Sequence, residues 1–367
     1  MRPPAEEPSA LRKSARLLAD ARSLPSMPSW PFDPPLTPME ARVRDDLPEG
    51  EWAYEPKWDG FRAVSWSTPI RLDSRNHKTL LRYFPELRPS LEALPEGTVV
   101  DGEVVLVTGD RLDFDGLQNR LHPAESRVNM LAAETPALLV AFDMVALGGI
   151  DLRDRAFSAR RTALESLVPE LGERWNLTPS TEDRETAVRW FDEFEAAGCD
   201  GIVAKRLDGP YVEGTREMIK VKHRRTVDCV VGGYRVHKDG HGIGSILLGL
   251  YDGANLHFIG HCSGFPDHDR TALLTQFEKI KAEDSFGSEA DVRRPGGESR
   301  WTGDKDLSWV PVTPGVVVEV SYDQLTGNRF RHATRFERWR SDKDADQCTI
   351  DQLERPEGPG FGEVVGG

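Results

Sequence analysis

Glu55-Pro56-Lys57-Trp58-Asp59-Gly60-Phe61-Arg62 is followed by Ala63-Val64-Ser65-Trp66 and preceded by the aromatic Trp52-Ala53-Tyr54. The alternation from Phe61 to Trp66 predicts a half-buried strand, and Asp59-Gly60 a tight turn. Lys57 is therefore expected at a sheet edge. A lysine is a poor nucleophile while protonated and a good one once desolvation, a nearby cation or a metal lowers its pKa. Tyr54 and Trp58 offer a dry wall, and Arg62 a positive charge. A surface lysine beside an ordinary Asp-Gly turn reads the same way over four letters, so the rest of the chain must decide.

Outward from that stretch, strands are expected at residues 70–76, 98–107, 137–147, 201–206 and 218–222. Helices are expected at 84–94, 114–121, 158–168 with Ser158 as N-cap, and 182–197 with Gly198 as C-cap. Strands and helices mix without a βαβ repeat, which predicts a mostly antiparallel α+β domain over 28–222. Past residue 227 short strands dominate (229–236, 245–251, 256–261, 316–322 and 336–340), with one helix at 270–280. Five strands and a helix predict an OB-fold β-barrel domain over 223–355. The glycine-rich run 239–244 lies between two strands with no helix after it, so it reads as a hairpin tip and not a phosphate loop. Residues 1–27 are expected as a flexible arm and 356–367 as a flexible tail.

The chain has 367 residues, 38% of them hydrophobic, with nine Trp, enough for two real cores. No apolar run reaches the length of a membrane span, and the N-terminus lacks a secretory signal, so a cytoplasmic protein is expected with no membrane partner. Four scattered cysteines form no CxxC pair, which excludes zinc modules of that kind. A formal charge of -14 argues against nucleic acid on average. Two stretches oppose it: residues 220–225 and the arginine-dense 329–343. Either suits phosphates or is a solvated face.

The charges inside strands carry more information. Arg75, Glu103, Asp200, Lys205, Lys220 and Lys222 all stand in strand-forming context, where burial is costly unless the charge is paired. Lys220 and Lys222 share a face, as do Val203 and Lys205. Several strands thus send charge into one space around Lys57, with basic groups for a polyphosphate and carboxylates for a divalent metal.

In this setting Lys57-Trp58-Asp59-Gly60 with Arg62 resembles motif I of the covalent nucleotidyltransferases. Ser74-Arg75-Asn76 resembles their next element, Asp101-Gly102-Glu103 motif III, and Phe142-Asp143 motif IIIa. Asp200-Gly201-Ile202-Val203-Ala204-Lys205 resembles motif IV, Lys220-Val221-Lys222 motif V, and Arg338-Trp339-Arg340-Ser341-Asp342-Lys343 motif VI. The order is similar to ATP-dependent DNA ligases, most of all the small bacterial DNA ligase C type and the ligase domain of bacterial end-joining ligases.

The resemblance implies that Lys57 takes AMP from ATP as a phosphoramidate and that AMP passes on to a 5′-phosphate at a nick in duplex DNA. It implies Glu55 on the adenine amino group, Phe142 stacked on the purine, and Arg62 and Arg75 on ribose and phosphate. Lys205, Lys220 and Lys222 would bind phosphates, and Arg338, Arg340, Asp342 and Lys343 would orient the departing pyrophosphate. Glu103 and Asp200 are the implied ligands of Mg²⁺ or Mn²⁺, with Asp200 one methylene shorter than the family's usual Glu. A monomer is expected, with the Ku end-binding protein as a candidate partner. An RNA ligase, a GTP-dependent capping enzyme and a catalytically silent OB-fold nucleic-acid-binding protein remain as alternatives.

Overall fold

The computed structural model describes residues 30–265, 267–287, 292–296, 307–353 and 357–366. The expected arm, 1–27, lies outside them. The chain divides into two compact units. The first runs to Lys222 and takes in the described end of the chain, and the second begins at His223.

The described residues of the first unit hold two large sheets and a two-stranded one, Val107–Thr108 with Arg111–Leu112. The strands of the large sheets are β1 (Ala41–Val43), β2 (Trp52–Pro56), β3 (Phe61–Trp66), β4 (Arg71–Ser74), β5 (Val99–Val105), β6 (Leu138–Leu147), β7 (Trp175–Leu177), β8 (Gly201–Arg206) and β9 (Met218–Lys222). One sheet has the order β1-β9-β8-β2, and the other β7-β6-β5-β3-β4 with Ile150–Asp151 against β6. Only β1·β9 and β6·β7 are parallel, so the expected antiparallel character holds among the described strands. β6 is buried along nearly its whole length, as its apolar sequence, broken only by Asp143, requires.

Helix α1 (Phe157–Leu167) packs its Phe157, Leu164 and Leu167 face toward β6. It starts one residue before the expected Ser158, and its N-cap, Ala156, makes no side-chain cap. Packing of Phe157, only 1% exposed, decides that boundary instead, since burial of such a side chain contributes about 1.5–3 kcal/mol against about 1 for a cap. Helix α2 (Arg184–Glu193) is shorter than expected but capped at Asp183, whose carboxylate accepts from the Glu185 and Thr186 amides.

The second unit contains β10 (Arg225–Val236), β11 (Ile243–Asp252), β12 (Asn255–Cys262), α3 (Asp267–Glu278), β13 (Val317–Tyr322) and β14 (Arg335–Trp339). The sheet order is β12-β11-β10-β13-β14, antiparallel throughout. Bulges interrupt β10·β11, β11·β12 and β13·β14, and bulges bend strands. The two edges meet: the Thr334 amide, next to β14, donates to the His261 carbonyl of β12 at 3.1 Å. The sheet is thus curled into the expected barrel. The 239–244 run is a hairpin tip, with Gly240 and Gly242 at positive φ and the His237 amide donating to the Gly242 carbonyl.

The expected flexible tail is a correction. Residues 361–366 form helix α4 (Phe361–Gly366), with Phe361 and Val364 buried against the first unit.

Candidate active site

The Lys57 turn is pinned by backbone. The Lys57 amide donates to the Gly201 carbonyl, and the Asp200 amide to the Lys57 carbonyl, both at 2.8 Å. This fit needs Gly201, which has φ +132° and where a Cβ would lie 2.0 Å from the Val221 carbonyl oxygen. Gly60 meets the same constraint, since its Cβ would stand 2.3 Å from the Val104 oxygen.

The backbone pinning sets the side chains. Lys57 Nζ and Lys222 Nζ each lie 3.0 Å from Asp200 Oδ2, and Asp200 is only 2% exposed. Burial disfavours all three charges. The Lys57 and Lys222 ammoniums nevertheless hold the Asp200 carboxyl below its usual range. Burial pulls the Lys57 ammonium down and the Asp200 charge outweighs it, so Lys57 lies above the ordinary lysine value. The expected depression by Arg62 is therefore a correction. Arg62 spends its charge on Asp101, with Nε 2.6 Å from Oδ1 and Nη2 2.5 Å from Oδ2. Asp101 also accepts from the Tyr211 hydroxyl at 2.6 Å.

Every site residue expected in the first unit, except Asp200, lines one pocket of about 320 Å³. Within it Glu55 is 2% exposed, with Oε2 2.8 Å from Lys205 Nζ and Oε1 3.4 Å from Arg161 Nη1. Lys205 also donates to the Phe142 carbonyl at 2.6 Å. Lys205 reaches Glu55 because β8 pairs Val203 with Glu55, and Lys205, two residues on, shares the face of Val203. The Phe142 ring has the Arg62 guanidinium 4.6 Å and Lys205 Nζ 4.8 Å from its centroid.

Arg75, Lys220 and Lys222 line the pocket with Lys57. Burial and then the charges of Lys57, Lys222 and Arg75 push Lys220 below the usual lysine value. Such crowding of cations is relieved by a bound polyanion. Glu103 is pushed up to about 8, by burial first, with Asp59 and Asp101 adding to it and Arg62 and Lys57 opposing.

Asp200, Glu103 and Asp59 thus all act on Lys57, and neither Asp200 oxygen accepts an aligned hydrogen bond. Asp200 with Glu103 fits Mg²⁺ or Mn²⁺ shared with phosphate oxygens, since Mg²⁺ takes one or two carboxylates plus substrate phosphates. Among the described residues no cluster of three His, Cys, Asp or Glu offers an all-protein metal cage.

Several contributors escaped the sequence reading. Arg161 reaches Glu55 and donates to the Thr178 carbonyl at 2.8 Å. Arg160 forks onto Asp143 at 2.7 and 3.1 Å. Their signal was slight: two adjacent arginines on an amphipathic helix need carboxylates only if they are buried. Asp101 and Tyr211 carried none, being single residues from distant segments.

In the second unit, Arg340 Nη1 lies 2.9 Å from both Asp228 oxygens, and its Nε and Nη2 each lie 2.9 Å from Asp342. Lys343 Nζ joins Asp228 at 2.8 Å. Arg340 holds the Asp342 carboxyl down to about 2. Arg338 stands apart, exposed, with Nε 2.5 Å from Glu319 Oε2. Asp228, the hub of this network, was not anticipated.

The chain is similar to known proteins. Residues 38–222 match the family model described as ATP dependent DNA ligase domain, and residues 239–343 the ATP dependent DNA ligase C terminal region. The chain is 48% identical to DNA ligase C2 of Mycolicibacterium smegmatis, over 89% of this chain and 96% of that protein. It is 46% identical to DNA ligase C of Mycobacterium tuberculosis, over 92% and 99%. Among solved structures, a Lig E DNA ligase shares the fold at a TM-score of 0.54 and 18% identity, covering 84% of this chain and all of that one.

Proposed function

The chain belongs to the ATP-dependent DNA ligase family, and from that premise we propose that it seals nicks in duplex DNA through a covalent Lys57–AMP adduct. The observation that carries this reading is the Lys57–Asp200–Lys222 cluster, whose two lysines line the same pocket as Glu55, Arg75 and Lys220. Lys57 must first give up its proton. Its Nζ then attacks the α-phosphate, the bond to pyrophosphate breaks, and a phosphoramidate forms. Lys220, Lys222 and Arg75 stabilise the charge that moves onto the leaving oxygens. A divalent cation held by Glu103 and Asp200 would supply further neutralisation of that charge. AMP next passes to the 5′-phosphate of the nick. Attack by the 3′-hydroxyl then joins the strands and releases AMP.

Glu55 reads the adenine amino group. Lys205 and Arg161 hold its carboxylate in place, while Phe142 supports the purine. Arg62 contacts the ribose side, oriented by Asp101. In the second unit, Arg338, Arg340, Asp342 and Lys343 orient the departing pyrophosphate, so the barrel must approach the first unit during the first step. The enzyme acts as a cytoplasmic monomer in repair or end joining, with Ku as the candidate partner.

Incubation with ATP followed by intact-protein mass spectrometry is expected to show one AMP adduct. A nicked duplex with 5′-phosphate and 3′-hydroxyl is expected to be sealed. An adduct formed from GTP alone would favour a capping enzyme, sealing only where RNA flanks the nick would favour an RNA ligase, and no adduct at all would leave a binding protein.

A further inference from the structure

We propose that α4 is a positioning element of the adenylation centre, with Phe361 holding the Lys57–Asp200 pair in register from behind. Lys57 is followed by Trp58, and Asp200 is preceded by Cys199. Trp58 and Cys199 lie in one apolar cluster with Phe361 and Val364. The Phe361 and Trp58 rings meet edge to face, with centroids 5.6 Å apart. The opposite constraint on Trp58 is its indole N–H, which donates to Thr178 Oγ1 at 2.9 Å. Trp58 is thus clamped between β7's far end and α4, and its backbone carries the nucleophile.

The docking is built into the sequence. The Phe361 amide donates to the Asp110 carbonyl at 2.7 Å, and the Gly362 amide to Asp110 Oδ1 at 3.0 Å. A Cβ at Gly360 would fall 1.8 Å from Asp110 Oδ2, and one at Gly358 would fall 2.7 Å from the Glu193 carbonyl oxygen. The glycines of Gly358-Pro359-Gly360-Phe361-Gly362 therefore allow close approach, where a free tail would need no such fit. A second consequence is topological: the chain leaves the first unit at Lys222 and comes back to it after the second, so the docked helix joins both ends of the barrel to the adenylation unit.

The role of α4 as a positioning element rests on the ligase reading, and the test separates the two. Full-length F361A and F361L are compared with the wild type in self-adenylation at varied ATP, in sealing of a nick already carrying 5′-AMP, and in hydrogen exchange over residues 57–60 and 199–201. In F361A the maximal self-adenylation rate is expected to fall about tenfold or more, since small misplacements of reacting groups are costly. KM for ATP should stay within about twofold, pre-adenylated nicks should be sealed at near the wild-type rate, and amides at 57–60 and 199–201 should exchange faster. F361L should recover most of the rate. G358A, whose Cβ would stand 2.7 Å from the Glu193 backbone carbonyl oxygen and so pushes the segment leading into the helix off its seat with the aromatic ring intact, should reproduce F361A. Equal losses in self-adenylation and in pre-adenylated sealing, or unchanged exchange at 57–60, would overturn the positioning role. A wild type that forms no AMP adduct would defeat the ligase reading, and the exchange experiment would still judge the clamp.

Discussion

Lys57 shows how far residue identity carries and where environment takes over. The nucleophile is legible from its neighbours in sequence, but its resting charge state is not. The sequence places Arg62 five residues on and invites the inference of a depressed lysine. In the folded chain Asp101 takes Arg62 and Asp200 takes Lys57, and both partners lie far along the chain. Burial alone would lower the Lys57 ammonium, and the Asp200 carboxylate raises it above the ordinary lysine value instead. Lys57→Ala should abolish the AMP adduct, as read by intact mass. Lys57→Arg should fail equally, because a guanidinium stays protonated. Asp200→Asn should lose more activity than Asp200→Glu, since Glu keeps the charge that holds Lys57 and a cation; equal rates for the two would make Asp200 purely structural. Glu55→Ala should weaken ATP use and relax rejection of GTP, measured as the ratio of kcat/KM for the two nucleotides.

Glu103 gives a pH prediction at the same scale. Its carboxyl stands at about 8 in the fold against an ordinary 4.5. Below that lower value, folded and unfolded chains both carry the proton. Between the two values only the folded chain does, so the unfolded state gains by ionising and the ligand-free protein loses stability as pH rises through this window. Above the upper value the penalty is complete. Glu103→Gln should remove this slope. Thermal midpoints of the two proteins should run together near pH 4.5 and separate by several degrees toward pH 8, at about 2–4 °C per kcal/mol. Parallel curves would show that Glu103 titrates normally.

At the scale of elements, periodicity found most strands and missed the reasons for their ends. β6 and β3 announce themselves by apolar run and alternation. The start of α1 does not, because burial of Phe157 against β6 outweighs the cap that Ser158 promises. The tail failed for a related reason: glycine reads as freedom in sequence, and whether it serves freedom or close approach depends on a partner surface that only the fold supplies. Gly201 is the functional case. Its positive φ and the nearby Val221 oxygen leave no room for a side chain. Gly201→Ala should strain the β8·β9 pairing and shift Asp200 away from Lys57. Loss of self-adenylation with ATP binding largely retained, followed by titration of nucleotide fluorescence, is the expected outcome. Full adenylation in this variant would mean that the turn adapts and that Gly201 does not set the site.

For the whole molecule, the two-unit organisation and the order of the charged segments were legible, because each segment keeps its own residue pattern. The network around Asp228 was not, since an acidic residue inside a β-rich stretch has no sequence mark of its partner 112 residues away. That network bears on the division of labour between the units. Asp342 and Lys343 are expected to serve the departing pyrophosphate, which exists only in the first step. Changing both to Ala should cripple reaction with ATP and largely spare sealing of a nick that already carries AMP. The competing account is that this basic run binds DNA backbone. Both reactions on DNA would then weaken together, with strong salt dependence, while self-adenylation stayed normal. Arg340 still holds Asp228 bidentately in the double variant, so the barrel should keep its fold and the comparison should report chemistry. Self-adenylation and pre-adenylated nick sealing, measured on the same preparation at two salt concentrations, separate the accounts, and normal self-adenylation would defeat the pyrophosphate role.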